Sequence, residues 1–192
     1  MAKLNIPPVT AVMSGLCILA TLLSYVFPYI LFDYAFVPFL AFIEPWRFLT
    51  GAFLHGGLMH IGFNVMSLII LGAELEPALR SWRFAILYLA SAIGGNGAVY
   101  AWALWTNEWN VAAVGASGAI FGLFGALVVL TRAVRADPRG IIGVLVINAI
   151  VAFTAPQISW QAHLGGFLTG LILTGIWWTL YRRRQKSSRS GW

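Results

Sequence analysis

The chain has 192 residues, of which 60% are hydrophobic and only 9% charged. A soluble domain carries about 25% charged residues, so this chain cannot clothe a water-facing surface and reads as an all-α integral membrane protein without a separate soluble domain. The net charge of +6 would suit nucleic acid, but the placement of the basic residues at span ends, set out below, excludes that partner, and the one cysteine, Cys17, excludes a disulfide framework within the chain.

A short N-terminus, residues 1–8, carries Lys3 and leads into an apolar run over 9–30. That run is about 20 residues long, the length of a membrane crossing, and lacks a small-x-small cleavage site, so it is expected to be a retained span rather than a signal peptide. The next stretch, 31–59, holds Phe32, Tyr34, Phe36, Phe39, Phe42, Trp46, Phe48 and Phe53. It is too apolar for a free loop and too broken by Pro38 and Pro45 for a span, which predicts a segment lying in the membrane interface. Runs of crossing length follow at 60–79, 83–105, 115–131, 141–155 and 162–180, and a basic tail at 181–192 closes the chain.

Six spans place both termini on one side. Lys3, Arg80, Arg83, Arg132, Arg135, Arg139, Arg182, Arg183, Arg184, Lys186 and Arg189 then share that side, and Arg47 alone lies on the other. The positive-inside rule makes the shared side cytoplasmic. The tail reads as a topology anchor touching anionic headgroups of membrane lipids, and residues 1–192 read as a single membrane domain.

Arg80, Arg132 and Arg182 mark the cytoplasmic ends of spans 2, 4 and 6 and so serve as a depth ruler. At about 1.5 Å per helical residue, His60 lies about 30 Å above Arg80, Ser117 about 22 Å above Arg132 and His163 about 28 Å above Arg182. All three fall in the outer half of a hydrocarbon core about 30 Å thick. The Gly115-Ala116-Ser117-Gly118 turn is irregular backbone at a depth where it must line a protein or water cavity. A wet cavity opening outward, with Ser117 near its floor, is the expectation.

A serine in a membrane helix is often packing glue. Ser117, however, opens a helix, where unpaired backbone N–H groups and the helix dipole favour a developing oxyanion. Gly115 and Gly118 let the backbone turn sharply and a carbonyl approach. Both Ser117 and His163 lead into small-residue stripes, Gly118/Gly122/Gly125 and Gly166/Gly170. Such stripes pack helices closely, and if the two faces meet, hydroxyl and imidazole come within hydrogen-bond reach. His60 and Asn64 share one face of span 2 and suit an oxyanion hole, or else an interhelical polar contact. His55 reads as a loop tie. The acids sit apart: Glu74 and Glu76 lie roughly 21–24 Å below His60, Asp137 is cytoplasmic, and Asp33, Glu44 and Glu108 are in outer loops, with Arg47 a nearer partner for Glu44. A Ser–His dyad is therefore the simplest account. Three histidines without HExxH or a second cysteine carry no metal site, and no cofactor is expected.

Glu44-Pro45-Trp46-Arg47, the run His55…His60…Asn64, Gly115-Ala116-Ser117-Gly118 and Ala162-His163-Leu164-Gly165-Gly166 together resemble a rhomboid intramembrane serine protease of the six-helix bacterial type, over nearly the whole chain. The resemblance implies a six-transmembrane-helix rhomboid bundle and a serine endopeptidase of the plasma, or bacterial inner, membrane. Its site would open to the extracytoplasmic side, and its substrates would be single-pass transmembrane proteins cut near the outer face. It implies Ser117 as nucleophile, His163 as general base, and His60, Asn64 and the Ser117 amide as oxyanion hole. Gly115, Ala116, Gly118, Phe121, Gly166 and His55 would support the site, and Glu44, Trp46 and Arg47 would build the first loop. Glu76 would be structural. Span 5 and residues 156–161 would form a gate and cap. Phe121 stands where the best-known members have tyrosine; it keeps the stacking surface and lacks the hydroxyl. The alternatives are a non-catalytic rhomboid-like factor that binds or escorts membrane proteins, which loss of the serine or histidine would mark, and a channel, which would need ionisable residues near the midplane. The sequence carries no signal for oligomeric state.

Overall fold

A computed structural model describes residues 6–137, 139–154 and 159–189. The described residues are helical and contain no strand, apart from an isolated antiparallel bridge between Phe36 and Ala113. The six long helices are α1 (Pro8–Val26), α4 (Leu58–Leu79), α5 (Ser81–Thr106), α6 (Ser117–Ala133), α7 (Arg139–Thr154) and α8 (Trp160–Arg189). Two short helices, α2 (Tyr29–Tyr34) and α3 (Arg47–Thr50), and the 3-10 turns Pro38–Leu40 and Gly51–Phe53 lie between α1 and α4. By length and composition, α1, α4, α5 and α8 are each long and apolar enough to cross a membrane, and α6 is a shorter apolar helix.

Local chemistry sets the helix ends. Pro8 begins α1, where its missing N–H costs nothing. The helix stops at Val26, short of the expected residue 30, because Phe27 precedes Pro28 and is pushed out of the helical region. α4 and α5 are joined through Arg80 alone, at φ +71°, and α5 ends on Asn107 in the left-handed region. α8 runs on past residue 180 through the basic tail to Arg189. Arginine, lysine and glutamine are good helix formers, and cations are favoured at a helix C-terminus.

Three helices meet along a seam of small residues. A Cβ added at Gly166 would come 1.9 Å from the Gly118 carbonyl oxygen, and one at Gly170 would come 1.9 Å from that of Gly122. One at Gly125 would strike the Phe167 carbonyl at 2.3 Å, and one at Gly95 of α5 would meet the Ala162 carbonyl at 2.8 Å. The glycine stripes of α6 and α8 therefore face each other, with α5 closing the third side. Contact at backbone distance maximises dispersion where lipid offers no hydrophobic drive.

α1 is tied to α4 by Glu76, which is 1% exposed. Its carboxylate accepts from Val9 N–H at 3.0 Å, Thr10 N–H at 2.8 Å, Thr10 Oγ1 at 2.8 Å and Ser81 Oγ at 2.7 Å. Val9 and Thr10 are first-turn residues of α1, so Glu76 caps that helix from across the interface, with the charge at the favourable end of its dipole. The same carboxylate holds the start of α5. This is the structural role expected of Glu76.

Two predictions follow from these contacts. Gly170→Val is expected to cost about 3 kcal/mol, the upper end for overpacking, whereas Gly97→Ala, where the added Cβ meets nothing within 4 Å, is expected to leave the melting temperature in detergent unchanged or raised. Glu76→Gln replaces charge-assisted hydrogen bonds by neutral ones and turns two donors towards donors. A loss of about 2 kcal/mol is expected, read as a lower melting temperature with α1 the first helix to become protease-sensitive.

Candidate active site

The site lies where α6 begins. The first α6 bond joins the Ile120 N–H to the Ala116 carbonyl at 2.9 Å. The two amides before Ser117 are occupied: Gly115 N–H donates to the Gly51 carbonyl at 2.9 Å and Ala116 N–H donates to His55 Nε2 at 3.3 Å. The Ser117 amide has no hydrogen-bond partner among the described residues, and it sits at the positive end of the helix. Ser117 as a whole is half-buried.

Gly115 makes the turn possible. Its φ of +120° suits glycine, and a Cβ there would lie 2.7 Å from both Cε1 and Nε2 of His60 and 3.7 Å from Ser117 Oγ. The missing side chain is thus the space that lets the His60 ring and the Ser117 hydroxyl occupy one small volume. His60 is in the first turn of α4 and is half-buried, whereas Asn64, one turn on, is buried. Asn64 Nδ2 donates to the His60 carbonyl at 2.8 Å, which commits one of its two amide hydrogens.

His163 is carried in by α8. Its ring stacks on Phe121 with centroids 4.1 Å apart and planes 9° from parallel. Phe121 is one helical turn after Ser117, so the imidazole lies over the face of α6 that the serine heads. The helix start is held by Ser159, whose Oγ accepts from Ala162 N–H at 3.3 Å and whose carbonyl accepts from His163 N–H at 3.3 Å. His163 Nδ1 is buried without a hydrogen-bond partner, and no hydrogen bond joins His163 to Ser117 among the described residues. Gly166 sets this proximity: a side chain there would strike the Gly118 backbone, and the two helices could not approach.

The first loop is a fixed wall. Arg47 is buried, pairs with Glu44, and donates to the carbonyls of Phe32 at 2.7 Å and Ala35 at 2.8 Å. Two backbone bonds, Phe36 N–H to Ala113 carbonyl at 3.1 Å and Ala113 N–H to Phe36 carbonyl at 2.8 Å, clasp it to the approach to Ser117. Trp46, Phe32 and Phe42 point outward and are more than half exposed. His55 ties three parts together. Burial first, and then neighbouring His60, hold it down to about 4, so it is neutral. Because Nε2 accepts from Ala116, the proton is on Nδ1, which faces Thr21 Oγ1 at 3.1 Å.

Residues outside the sequence-derived set also shape the site. Gly95 provides the third backbone against Ala162 and Gly118, Gly51 receives the Gly115 amide, Asn96 holds the Phe48 carbonyl at 2.9 Å, and Thr21 faces His55. Gly94-Gly95-Asn96-Gly97 is itself a small-residue run, a local signal of close packing on α5 that the sequence-derived set leaves out. The Gly51 and Thr21 contacts have no local signal. Residues 156–158 of the expected cap lie outside the described residues.

The model of the Rhomboid domain matches residues 43–180. The chain is 37% identical over 136 residues to the putative rhomboid protease YdcA of Bacillus subtilis, covering 68% of this chain and 66% of that protein. It is 34% identical over 132 residues to the rhomboid protease GluP of Bacillus subtilis, covering 66% of this chain and 25% of that protein. It is 34% identical over 137 residues to RHOMBOID-like protein 5 of Arabidopsis thaliana, covering 68% and 43%. The chain thus spans between a quarter and two thirds of the length of these relatives.

Gly115→Ala forces a left-handed residue and a Cβ into the space of the His60 ring. It is expected to cost about 2 kcal/mol, seen as a lowered melting temperature, and to shift the ring resonances of His60 more than those of His163.

Proposed function

The chain belongs to the rhomboid family, and on that premise we propose that it is an intramembrane serine endopeptidase working through Ser117 and His163. The observation that carries this reading is the convergence at the head of α6. A Ser117 amide without a partner among the described residues and the His60 ring beside Gly115 stand at the first turn, and the His163 ring is stacked on Phe121 one turn further along the same helix.

Ser117 Oγ attacks the scissile carbonyl while His163 takes the hydroxyl proton. The carbonyl oxygen becomes an oxyanion received by the Ser117 amide, His60 and the remaining amide hydrogen of Asn64. Collapse of the tetrahedral intermediate breaks the C–N bond, and His163 returns the proton to the leaving amine. Water then attacks the acyl-enzyme by the same route, with His163 again the base. The stacked Phe121 holds the imidazole plane through these two exchanges and supplies no hydroxyl of its own. Ser117 and His163 close to bonding distance as the substrate enters, since catalytic hydrogen bonds are often loose in a free enzyme.

Residues 1–192 form one membrane domain in this reading. α1, α4, α5, α6, α7 and α8 are the six crossings, both termini are cytoplasmic, and the head of α6 opens to the extracytoplasmic side of the bacterial inner membrane. The exposed Phe32, Phe42 and Trp46 anchor the first loop in the interface. Substrates are single-pass transmembrane proteins with small residues at the cut and helix-weakening residues nearby, because a peptide bond inside an intact helix is closed to attack.

The test is labelling of the purified protein by a fluorophosphonate probe, followed by cleavage of a transmembrane substrate in liposomes. Wild-type protein is expected to label and to cleave. Ser117→Ala should lose both, and His163→Ala should fall by roughly 100-fold or more. A folded wild-type protein that neither labels nor cleaves in liposomes would sink the protease reading in favour of client binding without catalysis.

A further inference from the structure

At the end of the bundle away from Ser117 lies a cation with no acid partner among the described residues. Arg83 is in the first turn of α5, about 18 Å along that helix from Gly95, which abuts the site. Its guanidinium carbon lies 5.0 Å from the ring centroid of Trp82 and 6.0 Å from that of Trp177 on α8, and the two indoles meet edge-on at 6.4 Å. Trp177 is 14 residues after His163, or about 21 Å along α8. Arg83 Nε is buried and makes no hydrogen bond. The ion pairs among the described residues are Arg47–Glu44 and Arg139–Asp137, and neither includes Arg83. Glu76, close by through Ser81, already accepts four hydrogen bonds.

We infer that Arg83, Trp82 and Trp177 form a binding site for the phosphodiester headgroup of an anionic phospholipid. A guanidinium held against two indoles is partly stripped of water, and the rings compensate only part of that loss. A planar fork of N–H donors fits phosphate oxygens in pairs. Trp82 is more than half exposed, and Trp177 is partly buried. Indoles at this level are the side chains that settle among glycerol and carbonyl groups of a bilayer. Exposed Arg80 at the corner before α5, and Arg184 two turns beyond Trp177 on the same face of α8, raise the local positive potential. The ligand is thus a lipid rather than a free anion, because the indoles offer apolar area that only the lipid's glycerol and acyl regions fill. The inference rests on the membrane reading above and is independent of the Ser–His chemistry.

The experiment is native mass spectrometry of the full chain released from mixed micelles that hold phosphatidylglycerol and phosphatidylcholine of equal chain length. Wild-type protein is expected to keep phosphatidylglycerol in preference by roughly tenfold, because the choline cation of phosphatidylcholine offsets the charge of its own phosphate and is repelled by the surrounding arginines. Arg83→Met should abolish the preference. Arg83→Lys, which keeps charge and stem, guards against a folding failure and should weaken it. Arg139→Met, which removes an exposed arginine paired with Asp137, should leave it intact. Equal retention of the two lipids by wild-type protein, full preference in Arg83→Met, or displacement of the lipid by excess inorganic phosphate would each overturn the assignment. Because bound lipid is read directly, failure here leaves the protease reading standing, and failure of labelling at Ser117 leaves this one standing.

Discussion

Backbone-distance contact between α6 and α8 is the constraint on which the site depends. Gly166 lies against the Gly118 carbonyl, Gly170 against that of Gly122 and Gly125 against that of Phe167, and none of these three has room for a Cβ. In water such glycines would weaken a helix; in lipid they create the closest packing available, and packing is what joins helices there. The same contact has a chemical result. It sets His163, at the start of α8, over the first turn of α6, where Phe121 takes the flat face of its ring. One packing solution thus supplies both stability and the seat of the His163 ring on the helix that Ser117 heads.

Two buried charges hold the remaining parts around that seam. Glu76 receives four donors and thereby caps α1 and secures the start of α5. Arg47, with Glu44 and two loop carbonyls, locks the long connection between α1 and α4. A buried charge contributes to a fold only when its hydrogen-bonding capacity is met, and here it is met largely by backbone groups that helix ends and loops leave unpaired. Because that loop is bonded to Ala113 and Gly115, its rigidity reaches the turn that presents Ser117. His55 extends the same frame to α1 through Thr21.

The two ends of the bundle have different chemistry. Histidines, a serine and an asparagine gather near the head of α6, and aromatic residues of the first loop lie beside them. Arginines gather at the other end, one of them lodged between indoles. In the proposed function the first arrangement serves acyl transfer and the second anchors the bundle in anionic headgroups.

Much of this was legible in the chain itself. Long apolar runs and their spacing establish the helices because helical rise and lipid thickness are fixed lengths, and the one-sided arginines are the ground of the proposed orientation. Proline and asparagine then corrected the ends, as at Phe27–Pro28 and Asn107. The glycine stripes announced close packing, and the Gly-Ala-Ser-Gly turn announced a helix start fit for an oxyanion. The sequence by itself therefore determined the helices, their faces and the candidate reactive groups, because each depends on periodicity or local backbone preference. Only the tertiary structure decided which faces meet. It set Gly95 against Ala162, Gly51 against Gly115, Thr21 against His55 and Trp177 against Arg83, pairs separated by dozens of residues. Such contacts depend on how rigid helices settle against one another, a property of the whole packing that no local stretch encodes.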